Sequence, residues 1–474
     1  MTEGLRLQRL RARLDTPTDV AALVVFRVLF GLLVTASSIR FVAEGWVSRC
    51  YLEPTFAFKY WGFEWVRAWP AAGMHLHFAV VAVLGLFVAA GLFYRVSAAL
   101  LCVAFTYLEL IDVTVYLNHY YLVSLLSLLV ACMPLGRAGS LDVWRRPATR
   151  LQAFPAWCTD LLRFQLGAVY VFAALTKLEP DWLLHAQPMQ LWLSARTHLP
   201  LVGPYLDRFG VALALSWAGF LYDLTIPGWL SWSRTRVPAY LVLCGFHVAV
   251  GVLFNIGMFP FIMTTSALVF FPSSWPRDLA AKLRPRRGAM STTGIPEAGK
   301  ALALPTTGFA PLGRLGLALG VLFVVGQIVM PLRHLAYPGS VLWNEQGMRW
   351  AWKVLVREKN GAVTFVVTKP DRRRELVEPR AYLTEAQARE MSGQPDLILQ
   401  LAHHIADDFR AKGEGPVEVR AEARVSLNGR RPKLLIDPTV DLAKIDDGLA
   451  SASWILPEPT EPPIRLRSLA GDAR

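Results

Sequence analysis

Long apolar runs separated by short polar connections occupy the chain up to about residue 330. A helix needs about 20 apolar residues to cross the hydrocarbon core of a bilayer. Nine runs approach this length, and we predict that they are membrane-spanning helices: residues 20–42, 78–94, 96–111, 120–135, 161–175, 211–230, 237–252, 259–271 and 312–330. The first run is not expected to be a signal peptide, because it is long, lacks a cleavage site of small residues and carries Arg40 near its end.

Positive charges lie in alternate connections between these runs. Arginine clusters precede the first run and separate the fourth from the fifth, the sixth from the seventh and the eighth from the ninth, whereas residues 112–119 and 256–258 contain no Lys or Arg. Because cytoplasmic loops carry the excess of positive charge, the alternation predicts a cytoplasmic N-terminus at residues 1–19, a membrane domain at residues 20–332 and a C-terminus outside the cytoplasm. The Arg-, Pro- and Thr-rich residues 274–308 are predicted to be a flexible cytoplasmic linker.

The C-terminal part, residues 333–474, has the pattern of a separate extracytoplasmic domain. An Asn-Gly pair between alternating segments is a strong short-range sign of a β-hairpin. Asn360-Gly361 lies in the middle of the alternating residues 350–369, and Asn428-Gly429 lies between residues 417–425 and 433–436. We therefore predict two hairpins here.

Two helical segments lie between these predicted hairpins. Residues 384–391 and 396–412 have helical periodicity, and Thr384 and Asp396 stand near their N-terminal ends, where such residues cap helices. The predicted fold class is therefore a polytopic α-helical membrane domain of about nine transmembrane helices, followed by an extracytoplasmic α+β, β-rich domain. We find no internal repeat.

Composition and charge agree with a membrane protein and exclude several other classes. Hydrophobic residues make up 54% of the 474 residues and charged residues 18%, below the roughly 25% of soluble domains. The net charge of +13 follows from arginine clusters beside apolar runs, so a nucleic-acid partner is not expected. The five cysteines show neither a disulfide framework nor zinc-site spacing, and no metal is expected. No GxSxG, P-loop or GxGxxG motif supports a hydrolase, an ATPase or a dinucleotide enzyme.

Polar residues inside apolar runs need a reason, because a charge at the centre of a membrane helix costs about 2.5–3.5 kcal/mol. The candidates are Arg27, His119, Arg163, Gln165, Lys177, Asp223, His247 and Asn255. Lys177 ends the fifth run. It is either a lysine that snorkels to the headgroups or a desolvated base, since burial disfavours the ammonium form and a neutral amine accepts protons.

The other polar candidates have alternatives of their own. His119 begins the fourth run among tyrosines that are also typical of an aromatic belt, so it is either an interfacial or a functional residue. His247 is interpreted as a buried structural residue. Asp223 and the pair Arg234 and Arg236 are interpreted as residues that stabilise the bundle and fix its orientation.

Six short strings in this order and spacing resemble one family, from about Arg27 to Pro457. They are residues 116–122 (YLNHYYL), 172–183 (FAALTKLEPDWL), 246–260 (FHVAVGVLFNIGMFP), 332–343 (LRHLAYPGSVLW), 345–352 (EQGMRWAW) and 436–442 (IDPTVDL). The chain resembles the vitamin K-dependent γ-glutamyl carboxylases, in particular their prokaryotic relatives. That family has a multi-helix membrane domain, the HTTM domain, followed by an extracytoplasmic β-rich domain, and the resemblance implies a location in a bacterial inner membrane.

The resemblance also implies a reaction. A lysine base deprotonates reduced vitamin K, a naphthohydroquinone, and its oxidation by O2 to the epoxide generates a base strong enough to remove the γ-proton of a peptide Glu, to which CO2 then adds. Lys177 falls at the family's catalytic lysine, and His119 falls at the histidine implicated in carboxylation. The cofactor supplies the basicity, and the protein supplies binding and exclusion of water.

The resemblance places the quinone site at Met258, Phe259, Trp352, Val354 and Leu355. Val354 and Leu355 replace two methionines of the animal enzymes, so the apolar wall is kept without its sulfur atoms. Departures concern the rest of the chain. Cys50 has no partner in the C-terminal domain for the disulfide of the animal members, and we see no clear equivalent of the propeptide-binding surface.

Three functions stay open at this point. The first is a membrane carboxylase-epoxidase with the lipid bilayer and a Glu-containing peptide or protein as partners. The second is a quinone-binding oxygenase that does not carboxylate a peptide. The third is a transport or assembly protein, for which paired charges or broken helices at mid-membrane in related halves are expected; the sequence shows neither.

Overall fold

A computed structural model describes residues 2–254, 256–283 and 308–465. Every one of the nine predicted runs forms a helix, and the helices have these bounds: α1 Ala21–Ala43, α2 Ala71–Ala90, α3 Tyr94–Leu110, α4 Asn118–Cys132, α5 Ala156–Thr176, α6 Phe209–Ser231, α7 Arg236–Leu253, α8 Phe259–Ser266 and α9 Arg314–Leu332. Within the described residues, six of them are long and apolar enough to cross a membrane: α1, α2, α5, α6, α7 and α9. The count of nine spans and their direction stay predictions.

The boundaries of α2 differ most from expectation. The helix begins at Ala71 and ends at Ala90, about a turn or two earlier than the predicted residues 78–94. It ends there because Gly91 takes a left-handed conformation with φ of 65°, which glycine adopts without strain. The turn resets the chain direction, so α3 begins at Tyr94 as a separate helix.

Two arginines in the membrane domain donate hydrogen bonds to main-chain carbonyls. The buried Arg27 in α1 donates to the carbonyls of Leu135, Ala138 and Gly139, at 2.6 to 3.0 Å. Arg163 in α5 donates to the carbonyl of Val269 at 2.8 Å. Each guanidinium therefore holds together chain segments that are far apart in sequence, which compensates for its burial.

Part of the predicted linker is ordered. Residues Trp275–Leu283 form a helix, so the expectation of an unstructured linker is wrong for that stretch. Residues 284–307 lie outside the described residues, as does Asn255. A short helix, Thr2–Leu14, precedes the membrane domain, and the strands β1 Pro17–Asp19 and β2 Ala153–Pro155 pair antiparallel beside α1 and α5.

The C-terminal domain is built on a four-stranded antiparallel sheet in the order β4-β3-β5-β6. The strands are β3 Lys359–Thr368, β4 Arg374–Val377, β5 Glu418–Leu427 and β6 Lys433–Leu434. The helices α10 Glu385–Ser392 and α11 Pro395–Ala411 connect β4 to β5. The apolar face of α11, with Leu397, Leu401 and Ile405 fully buried, covers one face of the sheet.

The hairpin predicted at Asn360-Gly361 is wrong. Both residues lie inside β3, where Gly361 pairs with Val425 of β5. The turn that follows β3 lies instead at residues 369–373, where the amide of Lys369 donates to the carbonyl of Arg373. Gly361 serves a different purpose, because a Cβ atom there would lie 2.8 Å from the carbonyl oxygen of Ser392.

The hairpin at Asn428-Gly429 and the two helices are confirmed. β5 and β6 pair across this turn, and Asn428 and Gly429 have φ of 51° and 78°, as a two-residue hairpin turn requires. Thr384 caps α10 with a complete capping box closed by Gln387.

The C-terminal domain packs on the end of the helix bundle that carries Lys177 and His119. Arg430, just after the second hairpin, forms a bidentate ion pair with Asp181 at 2.5 and 2.7 Å. Asn428 donates to the same carboxylate at 2.9 Å. Asp181 lies four residues after Lys177, so the hairpin is fixed directly beside that lysine. All five cysteines are free thiols, so this contact is held by polar and apolar packing.

Candidate functional site

A cavity of about 530 Å³ opens at the end of the helix bundle that faces the C-terminal domain. Its walls come from α1, the start of α4, the turn before α8 and a segment of the C-terminal domain. The lining residues are Ser37, Arg40, Glu44, Trp46, Leu117, Asn118, His119, Tyr120, Ile256, Gly257, Met258, Phe259, Val354 and Leu355. The volume and the mostly apolar lining are typical of a pocket for a small aromatic ligand.

His119 is held in this wall by aromatic rings. It lies in the first turn of α4, it is buried, and its ring is 4.6 Å from that of Tyr120 and 6.2 Å from that of Phe259. Neither imidazole nitrogen has a hydrogen-bond partner among the described residues, which do not include the neighbouring Asn255. Gly257, with φ of 59°, leaves open the space beside Nε2. The imidazole is therefore available to a ligand in the cavity.

The segment 350–355 closes the cavity from the other side in a strained conformation. Trp350, Trp352 and Leu355 have positive φ angles of 51° to 57°, which non-glycine residues rarely adopt outside functional sites. Because of these backbone angles, successive side chains point in different directions. Val354 and Leu355 line the cavity, whereas Trp352 is fully buried and stacks on Tyr121 at 4.9 Å. Of the five residues assigned to the quinone, four line the cavity and Trp352 supports the wall.

Lys177 lies behind this cavity and does not line it. It caps the C-terminus of α5, its side chain is only 6% exposed, and Nζ forms an ion pair with Asp223 of α6 at 2.8 Å. The ammonium also donates to the carbonyl of Ala173 at 3.2 Å and lies over the ring of Trp182. The side chain therefore points into the bundle, which is the opposite of snorkelling to the headgroups.

The sequence pattern indicated Asp223 only as a residue that stabilises the bundle, and it did not predict the ion pair with Lys177. Asp223 is an acidic residue in the sixth apolar run, and Lys177 is a basic residue at the end of the fifth; their opposite charges on successive runs were the signal that could have paired them. The sequence shows no paired charges at mid-membrane in related halves, and this single ion pair, with Lys177 at the end of α5, is not such a repeated arrangement. Two buried charges of opposite sign share one movable proton, so transfer of that proton from the ammonium to the carboxylate turns the ion pair into a neutral amine and a neutral acid without creating a lone charge.

A chain of aromatic and histidine side chains lies between the ion pair and the cavity. His247 accepts or donates a hydrogen bond with the Tyr170 hydroxyl at 3.0 Å, and its ring lies 5.9 Å from that of Phe259. Phe259 in turn contacts His119. Tyr170 precedes Lys177 by two turns of α5, about 10 Å along the axis. His247 is thus buried, as expected, but it also occupies the wall between the two predicted catalytic residues.

A second, more polar cavity of about 840 Å³ adjoins the first. Leu117, Asn118, Ile256 and Leu355 line both cavities, so they form a shared wall. The second cavity has six basic and three acidic side chains: Arg196, Arg349, Lys353, Arg357, Lys359 and Arg389, with Glu345, Glu358 and Glu390. This excess of positive charge attracts anionic ligands.

Most of these basic groups are held by the protein itself. Lys359 and Arg357 pair with Glu345 at 3.2 and 3.3 Å, and Arg349 pairs with Asp396 at 2.5 Å. Burial lowers the pKa of Lys359 to about 8, while Glu345 opposes this shift. Lys353 is different, since no described residue forms an ion pair or hydrogen bond with its ammonium group.

In the part of the chain that the structure describes, no group of three or more His, Cys, Asp or Glu side chains is placed to hold a metal ion. The candidate site is therefore made of one apolar cavity with a histidine, one polar basic cavity beside it and a buried Lys–Asp pair behind the wall. Together with the apolar helices, these features define a polytopic membrane protein with a ligand site under an extramembrane domain.

Comparison with protein families identifies the class more closely. Residues 15–275, more than half of the chain, match the family model of the HTTM domain, and residues 313–461 match that of the vitamin K-dependent gamma-carboxylase lumenal domain. No solved structure matches the chain. The chain belongs to the vitamin K-dependent γ-carboxylase family, as the resemblance indicated, and this membership implies an enzyme-like function with vitamin K as cofactor, in an integral membrane protein with a lumenal domain.

Proposed function

We propose that this protein is a membrane γ-carboxylase/epoxidase that couples oxidation of reduced vitamin K by O2 to the carboxylation of Glu in a peptide or protein by CO2. The observation that carries the proposal is the pair of adjoining cavities. One is apolar and carries a histidine, the other is basic, and Leu117, Asn118, Ile256 and Leu355 separate them. A reaction between an apolar quinone and an acidic side chain needs this juxtaposition.

The residues of the apolar cavity fit a naphthohydroquinone. Met258, Phe259, Val354 and Leu355 supply flat and flexible apolar contacts, while Asn118, His119 and Arg40 supply polar groups at the rim of the same space. When bound, the reduced quinone supplies the oxygen-dependent basicity that no side chain possesses. The protein contributes orientation of the ring and a water-poor environment under the segment 350–355.

Lys177 and Asp223 are proposed as the base for the quinone hydroxyl. In the ion pair the proton lies on Nζ of Lys177, and its transfer along the 2.8 Å hydrogen bond to the Asp223 carboxylate leaves a neutral amine. That amine can then take up a proton. Lys177 does not line the apolar cavity, so the proton is proposed to reach Nζ by way of the Tyr170–His247 hydrogen bond beside Phe259 or after these side chains move.

The basic cavity is proposed to hold the Glu side chain. Its excess of cationic groups favours a carboxylate, and because the cavity lies between α4 and the sheet of the C-terminal domain, the bound carboxylate is proposed to lie next to the shared wall. His119 lies in the turn that contributes Leu117 and Asn118 to this wall, so it is proposed to act on the carboxylation side of the reaction.

The test is an assay of the purified full-length protein with vitamin K hydroquinone, O2, labelled CO2 and a Glu peptide, with epoxide and fixed label measured in the same sample. The proposal expects both products, with label fixation absent for the matched Gln peptide. Epoxide without fixed label supports the oxygenase alternative, and the absence of both rejects the proposed function.

A further inference from the structure

Lys353 is a largely buried cation whose ammonium group has no hydrogen-bond or ion-pair partner among the described residues. Only 8% of the residue is exposed, so the aliphatic part of its side chain is buried. No described residue donates to it, accepts from it or pairs with its ammonium group, although four other basic residues of the basic cavity are held by carboxylate or carbonyl groups. Charges at largely buried positions are normally paired, so this group is suited to bind an anion that enters the basic cavity.

The backbone directs Lys353 into the basic cavity. It lies between Trp352 and Val354 in the strained segment 350–355, and the positive φ of 55° at Trp352 turns the chain immediately before it. Its carbonyl accepts a hydrogen bond from the Asn118 amide at 3.4 Å, which ties it to the first turn of α4 next to His119. The side chain lines the basic cavity but not the apolar one.

The charged groups around Lys353 are of both signs, and none of them is bonded to its ammonium group. Burial lowers the pKa of Lys353 to about 8, and Glu179, two residues after Lys177, is the main opposing influence. Arg333 lowers the pKa further and Glu345 raises it, and His334 also faces this group. None of these groups bonds to the ammonium, so the lysine keeps its donors for a ligand.

We propose that Lys353 binds the γ-carboxylate of the substrate glutamate and thereby selects acidic side chains. This inference rests on the proposed function. A carboxylate bound at Lys353 lies beside the shared wall, because Leu355, two residues further along, belongs to both cavities. The methylene group next to the carboxylate then faces the apolar cavity and His119. A charge-assisted hydrogen bond to a rigidly held ammonium group is the strong, directional contact that such positioning needs.

The experiment compares Lys353→Met, which keeps the length without the charge, with Lys353→Arg, which keeps the charge. Lys433→Met is the matched control, since Lys433 is an exposed lysine of β6 that pairs with Glu461. Binding of a fluorescent Glu peptide and of its Gln analogue to the full-length protein in detergent is measured without quinone. KM values for peptide and hydroquinone are then measured separately, with the thermal midpoint as the folding check.

Loss of a charged hydrogen bond weakens binding by about tenfold to hundredfold. We therefore expect Lys353→Met to lose the preference for the Glu peptide over the Gln peptide and to raise the peptide KM by that factor, with the hydroquinone KM unchanged. Lys353→Arg is expected to keep most of the preference, and Lys433→Met all of it.

The outcomes separate this inference from the proposed function. A folded Lys353→Met protein that binds the Glu peptide as the wild type does overturns the inference, even if the wild type carboxylates. An equal rise of both KM values also overturns it, because that pattern indicates a structural role. If the wild type forms neither product, the peptide-binding measurement alone tests the role of Lys353. A Glu preference that depends on Lys353 supports the acidic ligand, and the absence of any preference rejects it.

Discussion

At the scale of single residues, three buried cations are handled in three ways. Arg27 donates to three carbonyl oxygens, Lys177 pairs with the carboxylate of Asp223, and the ammonium group of Lys353 bonds to no group among the described residues. The first arrangement is structural, since carbonyls cannot exchange protons at ordinary pH. The second can shift a proton between its members, and the third is the one that we propose binds an anion. Burial alone therefore does not indicate function; the partner does.

Substitution of Lys177 by arginine separates its structural role from its chemical one. Arginine preserves the charge opposite Asp223, but it keeps its proton and cannot serve as a neutral base. We expect Lys177→Arg and Lys177→Ala to lose epoxide formation by at least the 10²–10⁴-fold typical for removal of a general base, and carboxylation to disappear with it. Quinone epoxide is the quantity to measure, by chromatography of the reaction mixture.

Asp223 provides the control for that experiment. Asp223→Asn leaves the lysine buried without its counter-charge, and removal of one partner of a buried pair costs about 3–5 kcal/mol. The apolar double variant Lys177→Met with Asp223→Leu is expected to recover thermal stability without recovering activity. An active Lys177→Arg protein contradicts the general-base role.

His119 is expected to affect the two half-reactions unequally. If it acts on the Glu or CO2 side, His119→Ala lowers labelled CO2 fixation far more than epoxide formation, so the ratio of epoxide to fixed label rises above that of the wild type. Removal of the ring also leaves a space beside Phe259. His119→Phe fills that space without an imidazole, so it separates the loss of packing from the loss of chemistry. A parallel fall of both products in both variants contradicts the assignment.

The peptide KM should depend on pH through Lys353. Because the pKa of the buried ammonium is lowered to about 8, the charged form is present below that pH and is lost above it. We expect the Glu-peptide KM to rise by about tenfold per pH unit above 8 and to be flat below it, as long as Glu179, Arg333, His334 and Glu345 keep their charge states. In Lys353→Arg the rise should vanish; a rise of the same size there assigns it to another group.

At the scale of elements, apolar length located all nine helices, but local backbone chemistry decided where they end. Gly91 ends α2 a turn early, which hydropathy does not record. The Asn-Gly rule succeeded at Asn428 and failed at Asn360, although the two dipeptides are identical. The difference is tertiary: Gly361 must admit the carbonyl oxygen of Ser392 from the end of α10, and β3 continues through it to pair with β5.

Gly361→Ala tests this explanation of the failed hairpin. In a strand packed against Ser392 the added methyl group meets a backbone oxygen at 2.8 Å and the Val425 side chain at 2.9 Å, so we expect a loss of about 1–3 kcal/mol, as for other overpacked sites. The measurement is thermal unfolding of the purified protein, with Gly313→Ala, which has an ordinary φ of −67° and adds its methyl group to open space, as a control for glycine replacement itself. An unchanged midpoint for Gly361→Ala contradicts the close approach.

At the scale of the whole molecule, the sequence brought His119, Met258, Phe259, Val354 and Leu355 to one site through their resemblance to a family, and all five line one cavity. It did not reveal the basic cavity, because that space forms only where β3 and α10 close over α4. The sequence also did not reveal that Lys177 is absent from the lining of the apolar cavity, or that Asp223 forms an ion pair with Lys177. Those facts depend on how helices cross, which side-chain periodicity does not specify.

Orientation in the membrane is the prediction that concerns the complete chain. The alternating arginine clusters place the C-terminus outside the cytoplasm and the 274–308 connection inside it. A reporter that is active only outside should therefore work when fused after residue 474 and fail when inserted into that connection, while a cytoplasmic reporter should show the reverse. Activity of one reporter at both positions excludes a nine-span arrangement.

The strained segment 350–355 has a consequence for how this protein can change. Neighbouring side chains on it line two cavities: Lys353 lines the basic cavity proposed for the acid, Val354 lines the apolar cavity proposed for the quinone, and Leu355 lines both. Since its backbone is set by positive φ angles at Trp350, Trp352 and Leu355, a substitution made to accept a different quinone also moves the ammonium group. A substitution that changes the specificity for the quinone is thus expected to change the specificity for the acidic substrate as well. Variants selected for a new quinone are expected to need compensating changes for their acidic substrate, and tolerated substitutions here should arise in sets.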